Sequence, residues 1–519
     1  MPIAIGKLAL RFCALTLFTA CLFGQTVSSS LQGTVVDPAN AVVPNAQVKV
    51  VGAETGTTRS TITETTGLFR FLDLEPGTYS ITVTATGFKG YQQTSIILAA
   101  NETRDIGKVG LSIGSAGETV TVTAEAVAIQ LASSEKSSLV DGSQLSNVTL
   151  RGRDIFGYLK LLPGVVDISY NGTNAGNRDV TSPNAIRGIT INGNTSALNF
   201  TVDGITDMDT GSNSTLHYEP NADAVQEMKV LGSNYQAEFG RNSGGTINVV
   251  TKNGTQDFHG SLVWNHRHEG FDANQWENNR NGRNATTGAP NSQIARYRFN
   301  VETYTLGGPI YIPHHFNSAK NKLFFFWSQE YTGQFVGGGS QTKYTPTALE
   351  RQGNFSQTLQ NNGALFTIVD PTNGNVAFPG NIVPASRITP VGQAMLNFFP
   401  LPNFVGTGSN ANIANYFESA SATHPRRNDV LRVDFNPTSK LTTYFRYIND
   451  HDDMIALYQG TQFSSDVGGT LGQAGIAPID HPNPGHGYSG TATYSITPTL
   501  VNEFTVGESW NTWLSLIHI

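Results

Sequence analysis

The chain is poor in cysteine: it has two among 519 residues, and both, Cys13 and Cys21, lie in the first 24 positions. Beyond residue 24 it therefore offers neither a disulfide framework nor a cysteine-based zinc site. It also lacks any later apolar run of about 18 residues, so no helical membrane span is predicted. For an exported protein, the remaining destinations are secretion, the periplasm or a β-barrel in an outer membrane.

Charge is scarce too. Only 14% of the residues are charged and the net charge is -7, so there is no basic surface to suggest a nucleic-acid partner. The 54 glycines, with abundant Thr, Ser and Asn, suit β-rich extracellular or outer-membrane material. The sequence shows no nucleophile elbow, phosphate loop or dinucleotide fingerprint. We therefore predict no enzymatic activity and no cofactor.

Two groups of residues are potential metal ligands. His266 and His268 share one face of a predicted strand, and we favour a lumen-facing or interfacial pair over a metal site. Asp203, Asp207 and Asp209 have the wrong spacing for a calcium-binding EF-hand loop, which also requires a terminal Glu. We predict no metal site.

Residues 1–24 have the pattern of a secretory signal peptide. Lys7 and Arg11 supply the positive region, and residues 12–23 form an apolar segment too short to cross a bilayer.

Residues 29–114 predict a small antiparallel sandwich, because apolar and polar residues alternate and turn signals recur regularly. In one predicted strand Tyr79, Ile81 and Val83 share a face, opposite Ser80 and Thr82. The order of the Gly-Thr-Val, Gly-x-Phe-x-Phe and Leu-x-Pro-Gly-x-Tyr motifs resembles the carboxypeptidase regulatory-like domain, an immunoglobulin-like β-sandwich. No metal-ligand set accompanies it, so no peptidase activity is implied.

Residues 118–124 have the composition of an extended strand that could pair with another protein. This stretch resembles a TonB box, the segment on which a periplasmic energy-transducing protein pulls; the alternative is the last strand of the preceding sandwich. The residues concerned are Glu118, Thr119, Val120, Thr121, Val122, Thr123 and Ala124.

Residues 115–255 contain an ordered series of motifs: Leu-Arg-Gly-Arg-Asp at 150–154, Val-Asp-Gly at 202–204, and Gly-Gly-Thr-Ile-Asn-Val-Val-Thr from 244. The series resembles the α+β plug domain of TonB-dependent outer-membrane receptors. Residues 143–150 predict a strand and residues 151–162 a turn and short helix. Asp203-Gly204 has the turn chemistry of a β-hairpin. The resemblance implies structural or contact roles for Arg151, Arg153, Asp203, Gly204, Arg241, Gly244 and Gly245. For Arg151 and Arg153 we favour salt bridges that hold the plug in its barrel over ligand contacts.

Residues 256–513 predict strands of an antiparallel transmembrane β-barrel, because apolar and polar residues alternate between short turns. Leu431, Val433 and Phe435 would face one way, and Arg432 and Asp434 the other. Aromatic residues could form the girdles at the bilayer interfaces; we assign Tyr444, Phe445, Tyr447, Tyr494 and Phe504. Long polar stretches at 274–296 and 333–408 predict extracellular loops.

The whole chain is predicted to be dominated by β-structure. Its domain order, with Thr-Leu-Gly-Gly-Pro-Ile at 305–310 and Lys-Leu-Phe-Phe-Phe-Trp at 322–327, resembles the Oar-like branch of TonB-dependent receptors. A plugged transporter barrel takes about 22 strands, and far fewer are apparent here. We therefore expect a C-terminally truncated fragment, in which residues 514–519 are a non-native tail.

The resemblance implies a receptor in the bacterial outer membrane that imports a scarce ligand. Its expected partners are a TonB-type periplasmic protein, outer-membrane lipid and an unknown extracellular ligand. The alternative is an adhesion or surface-structural protein that binds polysaccharide or cells.

Overall fold

The computed structural model describes most of the chain. Outside the described residues lie the predicted signal peptide at 1–24, the tail at 514–519, and the predicted site residues Ala124, Arg151 and Arg241. Within the described part, no helix is both long and apolar enough to cross a membrane. The described residues are 28–115, 118–123, 133–148, 153–167, 188–194, 198–209, 215–240, 242–274, 276–280, 282–283, 285–286, 288, 294, 296–406, 411–412, 414–460, 477–497 and 500–512.

Eight strands build the amino-terminal sandwich. Its two sheets have the strand orders β4-β1-β7 and β3-β2-β5-β6-β8. The strands are β1 (Ser29–Val36), β2 (Gln47–Gly52), β3 (Thr58–Ile62), β4 (Leu68–Leu74), β5 (Gly77–Thr84), β6 (Gly90–Leu98), β7 (Thr103–Gly110) and β8 (Thr119–Thr123).

The predicted alternation fills the sandwich core, because Tyr79, Ile81 and Val83 are buried together between the sheets. Two pairings depart from the predicted antiparallel arrangement: β1 runs parallel to β7, and β6 runs parallel to β8. Strand β1 lies in the middle of its sheet, so the sandwich closes only when distant segments meet.

A second body follows, with a five-stranded sheet of order β13-β12-β15-β14-β9 and a two-stranded sheet of β10 and β11. Its elements are β9 (Lys136–Val140), α1 (Gly142–Asn147), a 3₁₀ helix (Ile155–Leu161), β10 (Val165–Asp167), β11 (Ile189–Ile191), β12 (Leu198–Val202), β13 (Ile205–Thr206), a 3₁₀ helix (Ala222–Ala224), β14 (Val225–Ser233) and β15 (Gly245–Thr251).

The strand predicted at residues 143–150 was wrong. Residues 142–147 form helix α1, because Asp141 caps its amino terminus. The Asp141 carboxylate accepts the Gln144 N–H over 2.8 Å, and the Gln144 side chain accepts the Asp141 N–H over 3.1 Å. This reciprocal capping box favours a helix over the local strand pattern.

The remaining strands form one antiparallel sheet of order β16-β17-β18-β21-β22-β23-β24. Its members and the small hairpin of its largest loop are β16 (His259–His268), β17 (Tyr297–Pro309), β18 (Leu323–Lys343), β19 (Val369–Asp370), β20 (Val376–Ala377), β21 (Tyr416–Thr438), β22 (Leu441–Gly460), β23 (Ala477–Thr497) and β24 (Leu500–Asn511). Short helices occur in the loops: a 3₁₀ helix at Glu269–Phe271, α2 at Trp276–Arg280, 3₁₀ helices at Glu350–Gln352, Pro379–Asn381 and Ala385–Arg387, and α3 at Pro390–Phe398.

The large sheet has one apolar and one polar face, as predicted. On β21, Arg432 and Asp434 are buried against the second body, while Leu431 and Phe435 are exposed on the outer face. Four of the five predicted girdle aromatics are also exposed. The exception is Tyr444: it alternates with the outward-facing Phe445 and Tyr447 along β22 and therefore points inward, where its hydroxyl donates to the Asp203 carbonyl oxygen over 3.2 Å.

The architecture is thus the predicted one: a β-sandwich, an α+β body and an antiparallel barrel sheet that contacts it. We refer to the last two as the plug and the barrel.

Candidate functional site

Strand β8 contains most of the predicted TonB box. It lies at the edge of the larger sandwich sheet, parallel to β6, from the pair Gly90–Thr119 to the pair Thr94–Thr123. All five of its side chains are exposed. This is the arrangement expected if the segment is the last strand of the sandwich, and its partner-binding role stays a prediction.

Glu118 sets the start of β8. Its carbonyl oxygen accepts the Gly90 N–H over 2.8 Å, and its carboxylate lies 2.5 Å from Lys89 Nζ. The hydrogen bond from Lys89, and then its charge, lower the pKa of the Glu118 carboxyl. Because solvent screens exposed ion pairs, this contact adds little to the free energy of unfolding. Its main effect is to fix the register of β8 against β6.

The plug carries the predicted hairpin at Asp203 and Gly204. These two residues join β12 to β13, with Val202 opposite Ile205. Their φ angles are 48° and 80°, the left-handed conformation that a tight two-residue hairpin needs at both central positions.

The Asp203 carboxylate is fully buried where the plug meets the barrel. It accepts the Thr251 N–H over 2.9 Å and the Thr251 hydroxyl over 2.7 Å. Its second oxygen lies 3.2 Å from Arg446 Nε on β22, and Arg432 Nη1 on β21 is 3.9 Å from the first. A buried carboxylate needs such partners, because desolvation of an unpaired charge is costly. Asp203 therefore ties the plug to two barrel strands.

Arg432 contacts all three bodies. Within the barrel it lies 2.8 Å from the Asp434 carboxylate, and its guanidinium is 4.4 Å from the Tyr444 ring centroid. It donates to the Thr251 carbonyl of the plug over 3.1 Å and to the Glu75 carboxylate of the sandwich over 3.3 Å.

Arg446 is fully buried and bridges the barrel and the plug. It donates to the Ser489 hydroxyl over 3.1 Å and to the Tyr218 hydroxyl over 2.9 Å. Burial raises the pKa of the Tyr218 phenol, so this tyrosine is neutral and can accept the hydrogen bond.

A second set of contacts holds the plug segment before β14. The Asp450 carboxylate accepts the Glu219 N–H over 2.9 Å and pairs with Arg426 at 2.7 Å. The Asn428 amide donates to the Glu219 carbonyl over 2.8 Å and accepts from the Asn221 amide over 2.9 Å. Four charged or amide side chains thus fix a single turn of the plug.

Arg153 is the member of the predicted arginine pair that is described. Its guanidinium lies 2.5 Å from Asp223 within the plug and 4.0 Å from Glu330 on β18. This geometry is that of an internal salt bridge with a weaker link to the barrel. Its role stays a prediction.

Gly245 is the first residue of β15 and Gly244 directly precedes it; both are buried. Gly245 has φ 136°, and a Cβ added there would come within 2.8 Å of the Leu231 carbonyl oxygen. Glycine is therefore required for the close approach of β14 and β15.

Asp207 lies deeper in the plug, and among the described residues no group is placed to hydrogen-bond its two carboxylate oxygens. Burial raises the pKa of this carboxyl well above its usual value. The nearest imidazole nitrogen is His217 Nδ1 at 3.9 Å, and burial lowers the pKa of that histidine. In the described part of the chain, no three acidic, His or Cys side chains are placed to hold a metal ion.

Strand β14 joins the plug to the sandwich. The buried Glu227 carboxylate accepts the Ala100 N–H, and Lys229 Nζ donates to the Asn101 carbonyl over 3.0 Å. Lys229 also pairs with Glu135 at 2.6 Å. Burial raises the pKa of Glu227 to about 7.

The largest described loop, residues 344–415, is compact. Arg387 forms a two-pronged salt bridge with Asp370 at 2.8 and 2.9 Å. Arg351 donates to the carbonyl oxygens of Phe399 and Pro400, which follow α3. These contacts give the loop a fixed shape of its own.

The barrel side of these contacts was not predicted from the sequence: Arg426, Arg432, Arg446 and Asp450 were not named as site residues. Their signal was present in the sequence, because each is a charged residue on the polar face of an alternating strand. What the sequence could not show was which plug residues each of them contacts.

An antiparallel sheet with an apolar outer face and a polar inner face is the arrangement of an outer-membrane β-barrel wall. Residues 250–516 match the outer membrane beta barrel domain, and the chain belongs to that family. Residues 30–112 match the carboxypeptidase regulatory-like domain. The outer-membrane location predicted from the sequence is confirmed by this membership.

A curated relative is the TonB-dependent transporter Oar of Myxococcus xanthus. It is 28% identical over 324 residues, which cover 60% of this chain and 27% of the relative. The chain thus spans about a quarter of the length of that relative. The predicted resemblance to Oar-like receptors is confirmed.

Two solved structures are also similar at 11% identity. The outer membrane transporter YddB from Escherichia coli has a TM-score of 0.40, with 72% of this chain and 38% of that chain covered. The ferric enterobactin receptor from Pseudomonas aeruginosa, a mutant in complex with enterobactin, has a TM-score of 0.33, with 72% and 49% covered.

Proposed function

We propose that the protein is a TonB-dependent outer-membrane receptor that imports a scarce extracellular ligand and carries out no covalent chemistry. The observation that supports this most strongly is the polar character of the plug–barrel contact around Asp203, Arg432 and Arg446. The relationship to a TonB-dependent transporter points in the same direction.

A polar contact suits a plug that must move. Buried ion pairs are close to neutral in net free energy, because the loss of hydration offsets their attraction. When the plug shifts and water enters, the Asp203 and Arg446 side chains regain hydration. An apolar contact of similar area would oppose that movement at about 25 cal/mol per Å² exposed.

The proposed division of labour follows the domain order. The barrel (256–513) crosses the membrane in contact with lipid, and the plug (115–255) blocks its lumen. Strand β8, at the start of the plug segment, pairs with the sandwich sheet. The sandwich (29–114) lies beside the end of the barrel where Glu75 meets Arg432. The compact loop at 344–415 connects β18 to β21 at the other end of these strands, away from the sandwich. It is a candidate for ligand selection.

A TonB-type periplasmic protein would supply energy by pairing with Glu118–Ala124. The test expresses Val122→Pro from the complete gene, which removes a donor from the pairing of β8 with β6 and so disrupts the strand. The comparison is Val122→Thr, which keeps that donor and the branched side chain. Two readouts are needed: capture of the periplasmic domain of the TonB-type protein, and growth on ferric siderophores, oligosaccharides, peptides or cobalamin as limiting nutrient. Loss of both in Val122→Pro alone supports coupled import.

A second candidate is an adhesion or surface-structural protein. It is favoured by the compact loop, which exposes large apolar side chains at Val391, Leu401 and Val405. Binding of cells or polysaccharide that persists in Val122→Pro, with no growth defect in any condition, would favour this function over import.

A further inference from the structure

The outer edge of β8 differs from that of β7, one of the three other strands that end a sheet of the sandwich. Strand β7 ends its sheet with a bulge at Gly107, where φ is 73° and the register with β1 shifts, and the next residue is the exposed Lys108. A bulge and a lysine are devices that prevent other chains from pairing with an edge.

Strand β8 has none of these devices. It pairs with β6 without a register shift from Thr119 to Thr123. It contains only threonine and valine, which favour extended backbone. Within the described residues no strand lies beyond it in the sheet. The edge is flat and uncharged, which is the property of a surface built for strand pairing.

The hydrogen-bonding pattern between β6 and β8 determines which backbone groups of β8 face away from β6. In a parallel pair, one residue bonds to the residues before and after its partner. Because the Gly90 N–H donates to the Glu118 carbonyl, the N–H groups of Val120 and Val122 point toward β6. Those of Thr119, Thr121 and Thr123 therefore point outward.

We propose that the sandwich domain presents the coupling segment: the edge of β6 holds Thr119–Thr123 as a preformed strand, and its periplasmic partner adds a strand to the outer edge. This inference rests on the proposed function and assigns the sandwich a role in it. The sheet into which the partner inserts its strand is continuous from β3 to β8. An ordered strand binds with a smaller loss of conformational entropy than a free tail does.

The contrasting arrangement is concealment, in which β8 must leave β6 before the partner can bind. The two are separated by locking β8 in place with a disulfide. Gln92 and Thr121 are directly paired, and the only cysteines of the sequence lie at positions 13 and 21, in the predicted signal peptide. The variant Gln92→Cys/Thr121→Cys, oxidised, holds the strand in its ladder; the reduced form and the two single variants are its controls.

The experiment measures capture of the periplasmic domain of the TonB-type protein by the complete protein in detergent. Presentation predicts equal capture by the oxidised and reduced double variants. It also predicts at least tenfold weaker capture by Thr121→Pro, which removes an outward donor, than by Thr121→Val, which keeps it. Proline is tolerated on an edge strand when its missing N–H faces solvent, so Thr121→Pro should leave β8 docked.

Two results would overturn the proposal. Capture that is lost on oxidation and returns on reduction means that the strand must leave β6. Equal capture by Thr121→Pro and Thr121→Val means that the outer edge is not the pairing surface. Failure of the wild-type protein to be captured would instead refute the proposed function, and the presentation role with it.

Discussion

The carboxylate of Asp203, at the tip of a plug hairpin, lies 3.2 Å from the guanidinium of Arg446 on barrel strand β22, and neither side chain is exposed to solvent. The two residues are more than 240 positions apart in the sequence. Their contact is a direct ion pair between the part of the plug that would move and the barrel wall that holds it.

The first prediction concerns this pair. Asp203→Asn should destabilise the plug by about 3–5 kcal/mol, because it leaves Arg446 buried without its counter-charge. Removing both charges, in Asp203→Asn/Arg446→Leu, should cost less than the sum of the two single changes. Urea denaturation in detergent, followed by protease cleavage within the plug, measures the four stabilities. Strict additivity would show that the two side chains are not coupled.

Glu227 gives a prediction about pH. Burial raises the pKa of this carboxyl from 4.5 to about 7 in the folded protein, so the folded state holds the proton more tightly than the unfolded state. The free energy of unfolding should therefore fall by about 1.4 kcal/mol for each unit by which the pH rises between these two values. The loss is absent below pH 4.5 and complete above pH 7.

The Glu227→Gln variant should remove this slope, since an amide oxygen can still accept the Ala100 N–H and does not titrate in this range. Thermal unfolding of both proteins from pH 4.5 to 8 provides the comparison. The neighbouring charges are Lys229, which favours the ionised form, and Glu102 and Asp141, which oppose it. Parallel pH profiles for the two proteins would assign the slope to another group.

Gly245 and Gly193 form a matched pair for testing backbone crowding. Both have positive φ, but a Cβ at Gly193 meets nothing within 4 Å, whereas one at Gly245 lies 2.8 Å from the Leu231 carbonyl oxygen. Gly193→Ala should cost about 1 kcal/mol from backbone strain. Gly245→Ala should cost a further 1–3 kcal/mol, roughly, because β14 must move. Equal losses would argue against the close approach of these strands.

Leu431 tests the orientation of the barrel sheet. Its side chain is on the outer face, between the inward-facing Val430 and Arg432. Leu431→Arg should reduce the stability of the lipid-inserted barrel by about 2–4 kcal/mol if the residue is near the bilayer midplane. Leu431→Phe is the size control. Folding into phospholipid vesicles, assayed with the complete gene product, measures the difference; no effect of arginine would mean that this face does not contact lipid.

Local patterns were sufficient for much of this architecture. The alternation of Leu431, Arg432 and Val433 correctly assigned the two faces of β21, and the Asp203-Gly204 pair correctly located a hairpin. Both signals act within a few residues, so they can be read without knowledge of the fold.

Long-range partners could not be read in this way. Tyr444 and Phe445 were both assigned to the lipid interface, although adjacent residues of a strand face opposite sides. The contacts with Asp203 and Arg432 show that Tyr444 is the one on the lumen side. Helix α1 was missed for another reason: the capping residues Asp141 and Gln144 carried the local signal, and the strand-like composition that follows outweighed it.

The position of β1 in the middle of its sheet has a practical consequence for anyone preparing the sandwich by itself. Its flanking strands, β4 and β7, are supplied by segments some 40 and 75 positions downstream, and Ser30 already faces Thr103. A recombinant boundary placed after residue 36 would delete a central strand instead of trimming a loose end. An affinity tag fused directly before Ser29 would crowd the turn at Ala99, whose carbonyl accepts the Ser29 hydroxyl at 2.5 Å.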